Sequence, residues 1–422
     1  MQLGFPVEKR VNSYLAKRNQ APSMANKQAL CPVVPFSGSQ KSKLSKISKV
    51  SNDEFILVTG GAGYIGSHFV NEYLMQKPAC QKVVVLDDLS EGHLGAIQAL
   101  KKRYPGRIRF VKAKVGDGKV QGLMGRFKVK AIVHFAASAS VSESQEDPMK
   151  YLDNNVSQTI QLLKSALNKG VKRFVFSSTA AVYGNPTEVP IVETSPTRPI
   201  NNYGASKLNM EQSLAQLKEA GKMDYVALRY FNAAGADEAG KLGEAHRNES
   251  HLIPLVLQVA KGQKRAIQQF GNDYNTPDGT CIRDYIHIQD LADAHIKALN
   301  YLEQHPNTGL ALNLGTGTGN SVREVIEACR TITGKPIQVE QAPRREGDPD
   351  RLVASYDQAQ KTLGWAPRHD LNQIIKTAWQ WEQSPRFQAK PSWLNRLQAL
   401  FKTEKHLKSS YNMRNTDFHQ AN

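Results

Sequence analysis

The feature that most constrains this chain is a glycine-rich turn set directly behind a short apolar run. Phe55-Ile-Leu-Val58 leads into Thr59-Gly60-Gly61-Ala62-Gly63-Tyr64-Ile65-Gly66 and then into a helix-length segment. Glycines at Gly60, Gly63 and Gly66 let the chain turn tightly and bring backbone N–H groups against a pyrophosphate, while the helix N-terminus adds partial positive charge. An ordinary strand-to-helix turn also uses glycine, so the surroundings decide. The second apolar run, 83–86, ends in Asp87, 21 residues beyond Gly66, where a carboxylate meets the adenosine ribose hydroxyls. Its charge repels a 2′-phosphate, and Asp88-Leu-Ser-Glu91 offers no Arg or Lys to hold one. The expected cofactor is therefore NAD rather than NADP.

Further apolar runs at 108–111, 131–135, 173–177 and 226–230 alternate with helix-length segments. Between two of them Met149, Leu152, Val156, Ile160, Leu163 and Leu167 fall three or four apart, the stripe of an amphipathic helix, and Gly170 supplies a stop. Repeated strand-helix-strand order predicts an α/β fold built on a doubly wound parallel sheet. After about residue 231 the alternation becomes irregular, with a Gly/Asn/Asp-rich loop at 271–279 and a helical pattern at 321–333, which predicts a smaller C-terminal substrate lobe at the sheet's open edge. The organisation read from the chain is a basic leader (1–52), a dinucleotide-binding domain (53–230), a substrate lobe (231–384) and a basic amphipathic tail (385–422).

Composition matters for one question, whether the formal net charge of +17 marks a nucleic-acid binder. By position it does not: residues 1–52 carry +8 and 385–422 carry +5, leaving +4 for the body. No nucleic acid is expected, and the basic ends suit an anionic surface, a partner, or, for the leader, organelle targeting. In the tail Trp393, Leu394, Leu397, Leu400 and Phe401 trace one apolar helical face. Cys31, Cys80, Cys281 and Cys329 are scattered, with no C-x-x-C pair, so no metal site is expected and a reducing, cytoplasmic compartment is the simplest reading. No apolar run approaches the roughly 18 residues of a membrane helix.

Tyr203 and Lys207 sit four apart and so project from one helix face. An ammonium there stabilises a phenolate and draws the tyrosine toward working pH, which is what a general base for an alcohol needs. The spacing alone is cheap, since Tyr73 and Lys77 repeat it. Tyr73, however, lies roughly 14 Å along the first helix from the phosphate turn and reads as packing. Ahead of Tyr203 the run 173–177 leads into Ser178 and Thr179, hydroxyls at the carboxyl end of a strand, where doubly wound sheets present ligands.

With these residues in place the chain resembles the extended short-chain dehydrogenase/reductase family, and within it the UDP-glucose 4-epimerases. The segments that carry the likeness are the glycine turn, His134-Phe-Ala-Ala137, Asp153-Asn-Asn-Val156, Phe176-Ser-Ser-Thr-Ala-Ala-Val-Tyr-Gly184, Arg229-Tyr-Phe-Asn232, Asp278-Gly-Thr-Cys-Ile-Arg-Asp-Tyr-Ile286 and Pro343-Arg-Arg-Glu-Gly-Asp348. The resemblance implies a Rossmann-like NAD-dependent isomerase, a homodimer, that interconverts UDP-glucose and UDP-galactose. Tyr203 would take the proton of the sugar 4-OH as NAD+ accepts the C4 hydride, and the 4-keto sugar would turn over and be reduced on its other face. Lys207 would hold the nicotinamide ribose and Thr179 the sugar 4-oxygen. Cofactor contacts are implied for Gly60, Gly63, Tyr64, Ile65, Gly66, Asp87, Asp88, Phe135, Ala136, Ala137, Asn155, Ser177, Tyr203, Lys207 and Tyr230. Substrate contacts are implied for Thr179, Asn232, His251, Leu252, Phe270, Arg283, Tyr285, Arg345 and Asp348, the two arginines suiting a diphosphate.

Thr179 stands where serine is more frequent in the family, Lys114 where an aspartate often faces adenine, and Ala139 where a lysine often lies near the cofactor. Leu352 aligns with the gate of the sugar pocket. Sister dehydratases and decarboxylases carry acidic residues just after the hydroxyl residue, whereas Thr179 is followed by Ala180 and Ala181. The remaining alternatives are a 4-epimerase of UDP-N-acetylglucosamine or of UDP-xylose and UDP-arabinose, and a catalytically silent NAD-binding sensor.

Overall fold

Each of the six apolar runs forms a strand: β1 (Glu54–Thr59), β2 (Gln81–Asp87), β3 (Ile108–Lys112), β4 (Val129–His134), β5 (Arg173–Thr179) and β6 (Asp224–Tyr230). The computed structural model describes residues 54–345 and 348–385; the basic leader and the amphipathic tail lie outside the described residues. The central strands are mostly apolar at their middles because both sheet faces are covered there. In β1, Ile56 and Val58 enter one core while Phe55 and Leu57 enter the other. Helices α1 (Tyr64–Gln76) and α2 (Leu94–Arg103) close the first core. Helices α3 (Lys119–Arg126), α4 (Gln158–Asn168) and α5 (Asn202–Glu219) close the second.

All pairings in this sheet are parallel, in the order β3-β2-β1-β4-β5-β6. The order reverses between β1 and β4, which opens the crevice where such sheets take ligands. The glycine turn follows β1 and residues 135–137 follow β4, so both stand at that crevice.

The boundary expected at 231 needs correcting. After β6 the chain runs through α6 (Leu252–Ala260) into a third core, yet α7 (Ile288–Gln304) returns to pack in the first core beside α1. Strand β7 (Gly309–Leu314) then pairs in parallel with β6 as the seventh strand. The third core is completed by α8 (Val322–Thr333) and α9 (Leu371–Gln383). Both of these helices start at a capping box, Ser321 with Glu324 and Asp370 with Gln373. Among the described residues no helix is long and apolar enough to cross a membrane.

The stripe from Met149 to Leu167 forms helix, but its buried face is not the expected one. Met149 and Leu152 are 68% and 50% exposed, while Tyr151, Asn155, Thr159 and Leu162 are buried. The cause is a π-helical turn at Leu152–Ser157, which takes more residues per turn than the 3.6 assumed and rotates the face ahead of α4. Gly170 closes this helix as expected, at φ +69°.

Candidate active site

The glycine turn is a backbone cradle. Gly60 adopts φ +69°, and a Cβ there would lie 2.6 Å from the Ala136 nitrogen; at Gly66 it would lie 2.2 Å from the Gly60 carbonyl oxygen. Gly63 caps α1 without a side chain, and a Cβ there would meet only that same oxygen, at 3.3 Å. The amides of Tyr64, Ile65 and Gly66 begin the helix, and Ser67 is the first to donate back, to Gly63 at 3.0 Å. Asp87 fixes the turn by accepting from Ala62 N–H at 2.9 Å and Leu89 N–H at 2.8 Å. Burial pushes its carboxyl pKa up against those two bonds. A close-approach glycine turn, a helix N-terminus and a carboxylate closing β2 fit an NAD pyrophosphate and ribose.

The side chains of several assigned cofactor residues have partners within the protein. The Tyr64 hydroxyl donates to the Gly235 carbonyl at 2.7 Å, and the Phe135 ring packs on Phe69 and His295 in the first core. Asp88 turns its own loop by accepting from Ser90 N–H at 2.9 Å. Ser177 and Tyr230 bond each other through their hydroxyls. Asn155 is buried among polar partners. Its amide accepts from Ser138 N–H at 2.8 Å and donates to the Ser138 carbonyl and the Ser206 hydroxyl, both at 3.0 Å. It thus clamps the segment after β4 to α5.

At the end of β5 the expected trio meets. Asn201 caps α5, accepting from Gly204 N–H at 2.8 Å, and so starts the helix that carries Tyr203 and Lys207. Thr179 caps the 3-10 turn at Ala180–Tyr183 and is hydrogen-bonded to Tyr203. The Lys207 ammonium donates to the Ser177 carbonyl at 2.8 Å and lies 5.9 Å from the Tyr203 ring centroid. The expected electrostatics need revision, because burial acts on both partners. It pushes the Tyr203 phenol up, with the Thr179 bond pulling back, and it lowers Lys207 to about 7 although Glu211 opposes this. In the nucleotide-free protein, NMR of labelled lysine should find the Lys207 amine titrating near 7, and Glu211→Gln should lower it further. A midpoint near the ordinary value of about 10.4 would mean that Lys207 is solvated.

Sequence reasoning missed what supports this trio. Glu211 is four residues beyond Lys207 on α5, so the Tyr203-Lys207-Glu211 spacing was itself the signal. It accepts from Ser178 Oγ and pairs with Arg229, whose Nη2 lies 2.6 Å from its carboxylate. Arg229 also donates to the Tyr183 hydroxyl at 2.8 Å, and Tyr183 donates to Asn313 at 2.7 Å. The network thus joins β5, β6 and β7. Below it, His134 is held neutral, lowered to about 3 by burial, between Thr59 and Thr159 hydroxyls. Tyr73 packs as expected, stacked on Phe69 with its hydroxyl on Gln81.

The second lobe meets this strand end through Phe231 and Leu352, which pack on Val182 and Tyr183. Buried Asp284 organises the junction by accepting from Thr316 N–H at 2.8 Å and Ala354 N–H at 3.1 Å. Arg283, beside it, ion-pairs with Asp348, so two assigned residues come together. The Arg345 guanidinium lies 4.0 Å from the Phe270 ring centroid, which joins two more. Asn232 donates to the Asp284 carbonyl at 3.0 Å, and Leu252 opens α6. Tyr285 buries its ring in the third core with Ile253 and Val256. The His251 ring turns to Glu244.

Residues 57–378 match the GDP-mannose 4,6 dehydratase family. The UDP-glucose 4-epimerase of Halalkalibacterium halodurans is 49% identical over 329 residues, which span 78% of this chain and 95% of that protein. Among solved structures, the UDP-glucose 4-epimerase from Stenotrophomonas maltophila with bound NAD and formylated UDP-arabinopyranose superposes with a TM-score of 0.75 at 41% identity, covering 78% of this chain and 97% of that one. That from Bifidobacterium longum, in complex with NAD+ and UDP, gives 0.73 at 37% identity, covering 78% and 98%.

Proposed function

The chain belongs to the extended short-chain dehydrogenase/reductases, among the UDP-glucose 4-epimerases, and from that membership we propose a reaction and a role for each residue of its site. The enzyme is an NAD-dependent UDP-hexose 4-epimerase. Bound NAD supplies the hydride acceptor and donor for the sugar C4. Tyr203 takes the proton of the sugar 4-OH and returns it to the 4-oxygen after the sugar has presented its other face. Thr179, hydrogen-bonded to Tyr203, is placed to hold the same sugar oxygen. Lys207, anchored on the Ser177 carbonyl, supplies positive charge beside the phenol and a donor toward the cofactor ribose. Arg283 and Arg345 take the diphosphate, with Asp348 and Phe270 orienting their guanidinium planes.

The observation that carries this reading is the meeting of Thr179, Tyr203 and Lys207 at the carboxyl end of β5, with no carboxylate at Ala180 or Ala181 to drive elimination. Incubation with UDP-glucose, UDP-galactose, their N-acetyl forms and UDP-xylose, with products resolved by NMR, tests it. Interconversion of the glucose and galactose forms is expected. Preference for an N-acetyl or pentose substrate would move the assignment to those sugars, and inertness toward all would leave an NAD-binding sensor.

We also propose a homodimer. Val141, Met149 and Leu152 expose apolar side chains on adjoining turns, and this segment is tied to the start of α5 where Asn202 donates to the Ser144 carbonyl at 2.9 Å. The double variant Met149→Asp, Leu152→Asp should sediment as a folded monomer; an unchanged mass would place the interface elsewhere. Among the described residues Cys80, Cys281 and Cys329 are free thiols, which favours a reducing cytoplasm. The basic ends fit an anionic surface or partner.

A further inference from the structure

Residues 244–251, of which only His251 was assigned above, place two carboxylates and two imidazoles in Glu244-Ala-His246-Arg-Asn-Glu249-Ser-His251. All four side chains turn toward one another, with one donor atom from each lying within 4.8 Å of the rest. His246 Nδ1 is 3.1 Å from Glu244 Oε1 and 3.5 Å from Glu249 Oε2, and His251 Nδ1 bonds the same Glu244 oxygen. The Glu244 side chain is only 5% exposed. A buried carboxylate needs partners, and both imidazoles pair with it.

We propose that Glu244, His246, Glu249 and His251 form a binding site for a divalent transition cation of the zinc class. Two imidazole nitrogens and two carboxylate oxygens are a donor set such ions take in tetrahedral geometry, with bonds of about 2.0–2.2 Å. Closing the 4.8 Å spread to tetrahedral contact asks for movement of roughly 1 Å. His246 and His251, with side chains 31% and 54% exposed, have room to make it.

The segment lies between the two lobes. Arg247 donates to the Leu89 carbonyl at 3.1 Å, and the His246 ring meets Tyr64, the first residue of α1, at 6.3 Å. On the other side Trp381 donates to the Glu244 carbonyl at 2.7 Å, and His251 precedes α6. A cation here ties the start of the dinucleotide helix to the start of α6.

The test uses the full chain, dialysed against a chelator and titrated with Zn2+ or Co2+ alone. One equivalent should bind, Co2+ should give the visible bands of a tetrahedral site, and the thermal midpoint should rise with Zn2+. His246→Ala and Glu249→Gln should each weaken binding at least about 100-fold, beyond the loss of an outer partner, while keeping NAD. The isosteric Glu249→Gln serves if His246→Ala folds poorly. Absence of both the Co2+ bands and the thermal shift in the wild type, or undiminished binding in the variants, would overturn the proposal.

Discussion

Replacing Tyr203 with phenylalanine is expected to leave a folded protein that retains NAD and has lost at least about 10³-fold in epimerase turnover, within the range that a positioned acid–base group contributes. The ring stays in place, so packing is kept and only the oxygen goes. The loss should be large because no neighbouring phenol can substitute. Tyr230 is bonded to Ser177, Tyr183 is held by Arg229 and Asn313, and Tyr151 donates to the Ser140 carbonyl. Nor does Thr179 act as base, since an unactivated hydroxyl is too weak at working pH. Thr179→Ser, which keeps the hydroxyl and removes a methyl, should by contrast retain most activity. The measurements are turnover by NMR of the two UDP-hexoses and NAD content after denaturation. Wild-type turnover in Tyr203→Phe would remove the assignment of the base.

What could be read from the chain was whatever is locally determined. Gly60 and Gly66 had to be glycine because backbone comes too close for a Cβ, and that requirement shows in two letters of sequence. Tyr203, Lys207 and Thr179 were legible because a strand end and a helix turn each keep a fixed spacing. Strand β7 was not, since Gly309–Leu314 pairs with β6 across some eighty residues and its own pattern is half-buried. Parallel pairing leaves no local mark of its partner. The buried face around Met149 was misjudged because a π turn changes the period on which the stripe was counted. Arg229 was visible in its segment, but its partner was not, for a different reason. The arginine sits in an apolar strand as one charge, and only the fold reveals that α5 supplies Glu211 to meet it.

Arg229→Met is therefore expected to cost about 3–5 kcal/mol of stability, the penalty for leaving a buried carboxylate uncompensated. The two side chains are 8% and 6% exposed, and Arg229 makes a forked contact, its Nε at 3.0 Å from one Glu211 oxygen and its Nη2 at 2.6 Å from the other. Removing the guanidinium strands Glu211 between Ser178 and the Lys207 charge, and deprives Tyr183 of its donor. Denaturant unfolding should show a lower midpoint with an unchanged slope. The partner change separates charge from packing. Arg229→Met combined with Glu211→Leu removes both charges and should recover much of the lost stability, because a buried pair exchanged for apolar groups is often near neutral. Recovery will stop short of the wild type, since the Ser178 hydroxyl loses its acceptor. The double variant should also have a lower Lys207 pKa than the wild type, because Glu211 is what raises it against burial. A cost below about 1 kcal/mol for the single variant, the range of exposed pairs, would mean that water reaches Glu211 and that the trio is not held by this network.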